Sequence, residues 1–106
     1  MLYELRTYTA HPGKMPALLD RFRTHTLGAF SRNGIESVGY WIDSKAPDNL
    51  VYMVRFADAE SRKIAWDSFA ADADWIEVRR VTEKDGQLVE RAVRNLLNPT
   101  DFSPMT

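Results

Sequence analysis

An alternating pattern of polar and apolar positions opens the chain and predicts its first strand. Residues 2–9 alternate in this way and are rich in aromatic and β-branched side chains. His11-Pro12-Gly13 then breaks the pattern. From Lys14, apolar residues recur at three- and four-residue steps as far as Phe30, which predicts an amphipathic helix that ends at Asn33-Gly34.

The second half of the chain predicts three more strands and a second helical stretch. Residues 35–43 predict the second strand, and the near-continuous apolar run 50–56 predicts a central strand that is covered on both faces. Asp58 and Asp72 are predicted N-caps of two helices, and residues 88–97 predict the last strand. The order β-α-β-β-α-(α)-β predicts a ferredoxin-like α+β fold, in which both helices cover one face of a four-stranded antiparallel sheet.

Composition limits the class of protein. A chain of 106 residues is expected to form one domain, residues 1–106. A formal net charge of −1 argues against a nucleic-acid partner and against an electrostatic membrane anchor. The chain has no cysteine, which excludes disulfides and thiolate catalysis. No signal peptide is apparent at the start of the sequence, so we expect a cytoplasmic protein.

The period of two along each strand divides the side chains between the two faces of the sheet. The more apolar set, which is expected under the helices, is Tyr3, Leu5, Val38, Tyr40, Ile42, Leu50, Tyr52, Val54 and Phe56. The set expected on the open face is Glu4, Arg6, Tyr8, Ser37, Gly39, Trp41, Asp43, Val51, Met53 and Arg55. Both faces of the last strand are apolar enough to point inward, so its facing stays open.

The predicted open face is unusually apolar for a surface in water, because it carries Tyr8, Trp41, Val51 and Met53. It is a solvated sheet face, a nucleic-acid platform or a contact surface for a second copy. RNA-recognition domains share this order of elements but stack bases on aromatic side chains of the third strand. Val51 and Met53 occupy those positions here. We therefore favour a homodimer formed through the open sheet face.

Short motifs along nearly the whole chain carry a family resemblance. They are Tyr3-Glu4-Leu5-Arg6-Thr7-Tyr8-Thr9, Pro12-Gly13-Lys14, Leu18-Leu19, Phe22, Gly34-Ile35, Val38-Gly39-Tyr40-Trp41, Asp74-Trp75 and Asp101-Phe102-Ser103-Pro104. In order and spacing, the sequence resembles NIPSNAP-family domains. The resemblance implies a ferredoxin-like domain that pairs into a dimeric α/β barrel, and it implies little about function. Barrels of similar shape include cofactor-independent monooxygenases, haem-degrading enzymes and isomerases.

His25 is the candidate catalytic residue. On a regular helical wheel it lies about 70° from the centre of the apolar stripe, where a side chain reaches a cleft between helix and sheet. An imidazole there exchanges protons near neutral pH. The alternatives are a boundary histidine satisfied by water or a carbonyl, and an axial haem ligand. Two histidines without spaced partners give no metal signature, and we expect no cofactor.

Four side chains that are expected on the open face form the candidate ligand site. They are Arg6, Tyr8, Trp41 and Arg55. Two neighbouring guanidiniums repel unless an anion lies between them, so this set predicts an anionic or carbonyl-bearing small ligand stacked on an aromatic ring. The alternative is an ion-pair network with Glu4, Asp43 and Glu90 as counter-charges.

Three functions follow from these patterns. The first is a homodimer that binds a small molecule in or beside the barrel. The second is a cofactor-independent monooxygenase or isomerase in which His25 is the acid–base group and Arg6, Tyr8 and Trp41 position the substrate. The third is a structural module that binds a partner. The sequence lacks a glycine-rich phosphate loop and a nucleophile elbow, which argues against nucleotide binding and covalent hydrolysis.

Overall fold

Four strands form one antiparallel sheet in the computed structural model, which describes residues 1–106. They are β1 (Leu2–Ala10), β2 (Glu36–Ile42), β3 (Asn49–Phe56) and β4 (Val89–Leu97), and their order across the sheet is β2-β3-β1-β4. Neighbouring strands are antiparallel throughout. The helices pack on one face, so the predicted ferredoxin-like α+β fold is confirmed.

The helical layer consists of four α-helices and one π-helical turn. They are α1 (Met15–Arg21), a π-helical turn (Phe22–Thr26), α2 (Leu27–Arg32), α3 (Ala59–Ala71) and α4 (Ala73–Thr82). The first three run on from one another, as the single predicted helix requires. The amide of Leu27 donates to the carbonyl of Phe22, which is the five-residue step of a π turn. No helix is both long and apolar enough to cross a membrane.

Asp72 joins three helices. Its carboxylate accepts from the amide of Trp75 and caps α4, as predicted, while Asp72 itself is the C-terminal cap of α3. The same carboxylate accepts two hydrogen bonds from Arg32, at the end of α2, and one from Asn33. These bonds hold the pKa of Asp72 below its usual range, so the carboxylate stays charged.

The core lies between the helices and β3. Tyr52 and Val54 of β3 are completely buried, and so is Leu18 of α1. Phe30 lies at the centre of the aromatic part of this core, with its ring 5.1 Å from Phe69 and 5.5 Å from Trp66 between centroids. The apolar run of β3 is therefore a central strand, as predicted, but helices cover only one of its faces, since Val51, Met53 and Arg55 point to the open face and are half-buried.

The facing predicted for β1 is wrong. Glu4 pairs with Val54, Arg6 with Tyr52 and Tyr8 with Leu50, and directly opposed residues in a sheet share a face. Since these β3 residues are buried under the helices, Glu4, Arg6 and Tyr8 also face the helices. The polar side chains of β1 are accommodated there because they bond to one another and to α3.

The open face carries apolar side chains from the strands on both edges. Trp41 of β2 and Val93 and Leu97 of β4 are each about half exposed. The register of β1 with β4 places Val93 and Leu97 on this face and Ala92, Arg94 and Leu96 on the helical side, which settles the facing of the last strand. Trp41 folds back over Gly39, where a Cβ atom would approach the indole to 2.5 Å.

The last residues of the chain cover one end of the open face. The Tyr3 hydroxyl donates to the carbonyl of Thr106 at 3.3 Å. Ser103 and Met105 line a small cavity of about 170 Å³ together with Tyr3 and Met53. Tyr3 is therefore buried by the end of the chain instead of by the helices, which removes the need for it to face inward.

Candidate functional site

A cavity of about 600 Å³ lies between the helical layer and the half of the sheet formed by β1 and β4. Arg6 and Tyr8 of β1 and Arg94 of β4 line its floor, while Phe22 and Trp66 line its helical wall. The residues of β4 that face this side are exposed, because the helices lie nearer to the other strands. The cavity is thus open along β4.

Arg6 is the central cation of the floor. Its Nε donates to the Glu4 carboxylate at 2.6 Å, and its Nη1 donates to the Tyr8 hydroxyl at 2.9 Å. Its guanidinium lies 3.9 Å from the centre of the Trp66 ring, in cation–π geometry. Burial acts to lower the pKa of Arg6, but Tyr8, Tyr52 and the bond to Glu4 outweigh it and raise that pKa. Arg6 is therefore cationic at every working pH.

Glu4 supplies the buried negative charge that holds Arg6 in the floor of the cavity. Its carboxylate is fully buried and accepts from Arg6, from Arg62 at 2.6 Å and from the Trp66 indole at 3.0 Å. Burial acts to raise the pKa of Glu4, but the hydrogen bonds from Arg62 and Arg6 leave that pKa lowered. One negative charge is therefore shared by two guanidiniums, and the cluster keeps a positive charge.

Tyr8 presents a hydroxyl whose proton is free. Its oxygen accepts from Arg6 and from the Tyr52 hydroxyl, which donates at 2.9 Å. A phenol has one proton to donate, and the Tyr8 hydroxyl donates to no protein group. Burial raises the pKa of Tyr52 and keeps it a neutral donor. Tyr8 can therefore donate to an acceptor inside the cavity.

Basic side chains outnumber acidic ones around the cavity. The basic lining residues are Arg6, Arg21, Arg62, Lys63, Arg79, Arg91 and Arg94, and the acidic ones are Asp67, Glu83 and Glu90. Arg94 lies directly opposite Arg6 in the sheet register, and neither Arg94 nor Arg91 has an ion-pair partner. Like charges opposed across two strands are unfavourable unless an anion lies between them. The floor therefore presents an excess of positive charge to the cavity.

The comparisons with known proteins agree with this fold. The family model of NIPSNAP matches residues 3–104. The chain belongs to the NIPSNAP family. Atu4242, a NIPSNAP family protein from Agrobacterium tumefaciens, is 27% identical, with a TM-score of 0.87 over 100% of both chains. A NIPSNAP domain protein from Burkholderia xenovorans is 25% identical, with a TM-score of 0.85 over 98% of this chain and 99% of that one.

A more distant structure shares the fold alone. SnoaB, a cofactor-independent oxygenase from Streptomyces nogalater, is 12% identical, with a TM-score of 0.65 over 97% of this chain and 96% of that one. No curated protein matches the NIPSNAP chain by sequence. The expected likeness to monooxygenases of the dimeric α/β-barrel fold therefore holds at the level of architecture.

The NIPSNAP structure brings together only part of the predicted site. Arg6 and Tyr8 lie side by side in the cavity, with Glu4 as the counter-charge that the ion-pair alternative predicted. Trp41 and Arg55 lie on the opposite face of the sheet, where Arg55 pairs with Glu36. The four residues therefore do not form one site.

His25 lies on the outer surface of the helical layer. It is exposed and does not line the cavity, whereas the next residue, Thr26, is buried and does. The position expected for His25, at the mouth of a cleft, is therefore wrong. Both residues belong to the π turn, in which a wheel of regular pitch misplaces side chains near the edge of the apolar stripe.

Of the seven basic residues that line the NIPSNAP cavity, the sequence pattern predicted only Arg6; among the six missed are Arg21, Arg62 and Arg94. Arg21 carries the clearest signal, because it follows Leu18 by three residues and so lies beside the apolar stripe of its helix. Arg62 and Arg94 depend on how α3 and β4 lie over and beside β1. No local pattern predicts that placement.

Proposed function

We propose that this NIPSNAP protein is a homodimer that binds a small anionic molecule in the cavity between its helices and strands β1 and β4. The observation that carries the anionic part is the opposition of Arg6 and Arg94 in an excess of positive charge. A volume of about 600 Å³ lies within the range of small-molecule sites.

The cavity offers both charge and apolar surface to such a ligand. Arg6 and Arg94 supply guanidinium donors, and Tyr8, two residues beyond Arg6 on β1 and opposite Ala92, supplies a hydroxyl donor. Phe22 and Trp66 supply aromatic walls. The fitting ligand therefore carries an acidic group on an apolar body, such as a carboxylate on an aromatic or aliphatic frame.

Replacing Arg94 with glutamine tests the anion site. We expect Arg94→Gln to leave the melting temperature of the free protein unchanged or slightly higher, because the substitution removes a like-charge opposition. We expect it to weaken binding of benzoate or a fatty monocarboxylate by about ten-fold, since a charge-assisted bond is lost. Thermal unfolding and isothermal titration calorimetry measure the two effects.

Lys45→Gln is the matched control for this substitution. Lys45 is exposed in the β2–β3 turn, away from the cavity, and its loss changes the net charge by the same amount. It should leave anion affinity unchanged. Equal binding by Arg94→Gln and the unmodified protein would remove the proposed site.

The homodimer rests on the open face. Trp41, Val93 and Leu97 expose apolar surface there, and a second copy would cover the same patch on both chains. We expect Val93→Asp to shift the protein from dimer to monomer in sedimentation velocity, because it places a charge within that contact. Ile64→Asp, on the exposed side of α3, should leave the dimer intact. A single chain at micromolar concentration for the unmodified protein would contradict the homodimer.

The acid–base chemistry considered for His25 gains no support from the geometry. The side chain is exposed and lies outside the cavity, so it does not reach a bound molecule there. The fold shared with SnoaB is an analogy of architecture and supplies no catalytic residue. Binding is therefore the function that the geometry favours.

A further inference from the structure

Arg21 is a buried cation with a free donor. Its side chain is 7% exposed and lines the same cavity, where it meets α4. Its Nη1 donates to the Thr82 hydroxyl at 3.2 Å and to the Glu83 carboxylate at 2.8 Å. Its Nε is buried and has no hydrogen-bond partner. It is the only buried side-chain nitrogen or oxygen of the chain in that condition.

The unpaired Nε–H group of Arg21 is energetically costly. Buried polar atoms in folded proteins are nearly always paired, because an unpaired donor keeps the full cost of its lost hydration. The guanidinium cannot relieve that cost by losing its proton. Glu83 does not neutralise it fully, because the same carboxylate oxygen also accepts from Arg79 at 3.4 Å. The Arg21 end of the cavity therefore holds an excess of positive charge.

A row of aromatic rings connects Arg21 with the floor around Arg6. The ring centres of Trp66 and Phe69 are 5.8 Å apart, and those of Phe69 and Trp75 are 4.8 Å apart. The guanidinium of Arg6 lies 3.9 Å from the Trp66 ring centre, and that of Arg21 lies 5.3 Å from the Trp75 ring centre. Each end of the row thus carries one guanidinium, and all five residues line the cavity.

We infer that the ligand carries two acidic groups joined by an apolar body, one held by Arg6 and Arg94 and the other by Arg21. The inference rests on the proposed function and specifies the class of molecule bound. A dicarboxylate or an equivalent dianion satisfies both cationic ends, while its body lies along the aromatic row. A monoanion satisfies one end and leaves the positive charge at the Arg21 end without a further counter-charge.

Matched pairs of probes test this by calorimetry on the full chain. Terephthalate is compared with benzoate, and linear dicarboxylates are compared with monocarboxylates of the same chain length. We expect the best-fitting dianion to bind about ten-fold or more tightly than its monoanion, since the second group forms charge-assisted bonds. Arg21→Met should abolish that preference, because the second acidic group then has no guanidinium to bind. Arg23→Gln, an exposed position on the same helical stretch, should preserve it.

A second measurement on the unmodified protein does not depend on how well the variant folds. The Nε–Hε resonance of Arg21 in a proton–nitrogen NMR spectrum should shift when the dianion is added and stay in place when the monoanion is added. If no dianion outperforms its monoanion, or if that resonance does not respond, the Arg21 site is refuted while anion binding stands. If no carboxylate of either kind binds, the proposed function fails and the inference fails with it.

Discussion

Replacing Glu4 with glutamine is expected to destabilise the fold by about 3–5 kcal/mol, the cost of breaking a buried ion pair from one side. The Glu4 carboxylate is fully buried and accepts from Arg6, Arg62 and the Trp66 indole. An amide keeps the shape but loses the charge, and it cannot accept all three bonds. Both guanidiniums would then lie against β1 and α3 without compensation. The free energy of unfolding of a domain of this size is only about 5–15 kcal/mol in total.

The same carboxylate predicts how stability changes with acid. Because the pKa of Glu4 is lower in the folded chain than its ordinary value of 4.5, the carboxylate stabilises the fold fully above that pH. The contribution is lost as the pH falls from 4.5 through the folded pKa. We therefore expect the free energy of unfolding to drop below pH 4.5 in the unmodified protein, and to drop less steeply in Glu4→Gln.

Urea unfolding at a series of pH values measures both effects. Glu77→Gln is the control, because Glu77 pairs with Arg80 on the exposed face of α4 and such pairs contribute little. Its unfolding midpoint should stay close to that of the unmodified protein. A Glu4→Gln variant with an unchanged midpoint at neutral pH would show that the buried carboxylate does not stabilise the floor of the cavity.

Replacing Phe30 with alanine is the second large effect, with an expected loss of about 3–5 kcal/mol. The Phe30 ring is almost fully buried and lies 5.1 Å from Phe69, 5.5 Å from Trp66, and 6.1 Å from both Phe22 and Tyr52 between centroids. It therefore ties α2 to α3, to the π turn and to β3. Alanine would leave a void bordered by four rings that cannot close without moving the helices.

Chemical unfolding measures this loss, with Phe102→Ala as its control. Phe102 is 84% exposed, so its removal should change the free energy of unfolding by no more than about 0.5 kcal/mol. Equal losses for the two variants would mean that the aromatic core is not centred on Phe30.

The elements could be predicted because their signals are local. The alternation of β1, the apolar run of β3 and the caps at Asp58 and Asp72 each lie within a few neighbouring residues. Each appears in the structure close to its predicted position. The ferredoxin-like arrangement then follows from their order.

The facing of β1 could not be predicted, because both of its alternations mix polar and aromatic residues. Its polar set faces inward only because Arg62 and Trp66 meet Glu4 there, 58 and 62 residues further along the chain. The predicted ligand site was wrong for the same reason, because it combined residues from both faces of the sheet. Two of the four predicted ligand-site residues, Arg6 and Tyr8, line the cavity. Arg94 lies opposite Arg6 because of the register between β1 and β4, which no local sequence pattern predicts.

The junction at Asp72 also limits how molecules exchange with the interior. Splitting the helical layer apart would break the bonds from Asp72 to Arg32, to Asn33 and to the α4 backbone together. No comparable set of bonds lies over strand β4, and the residues of β4 on the helical side of the sheet are exposed. The least obstructed route into the cavity therefore runs over β4, where Arg91 and Arg94 would be the first cations in contact with an entering solute.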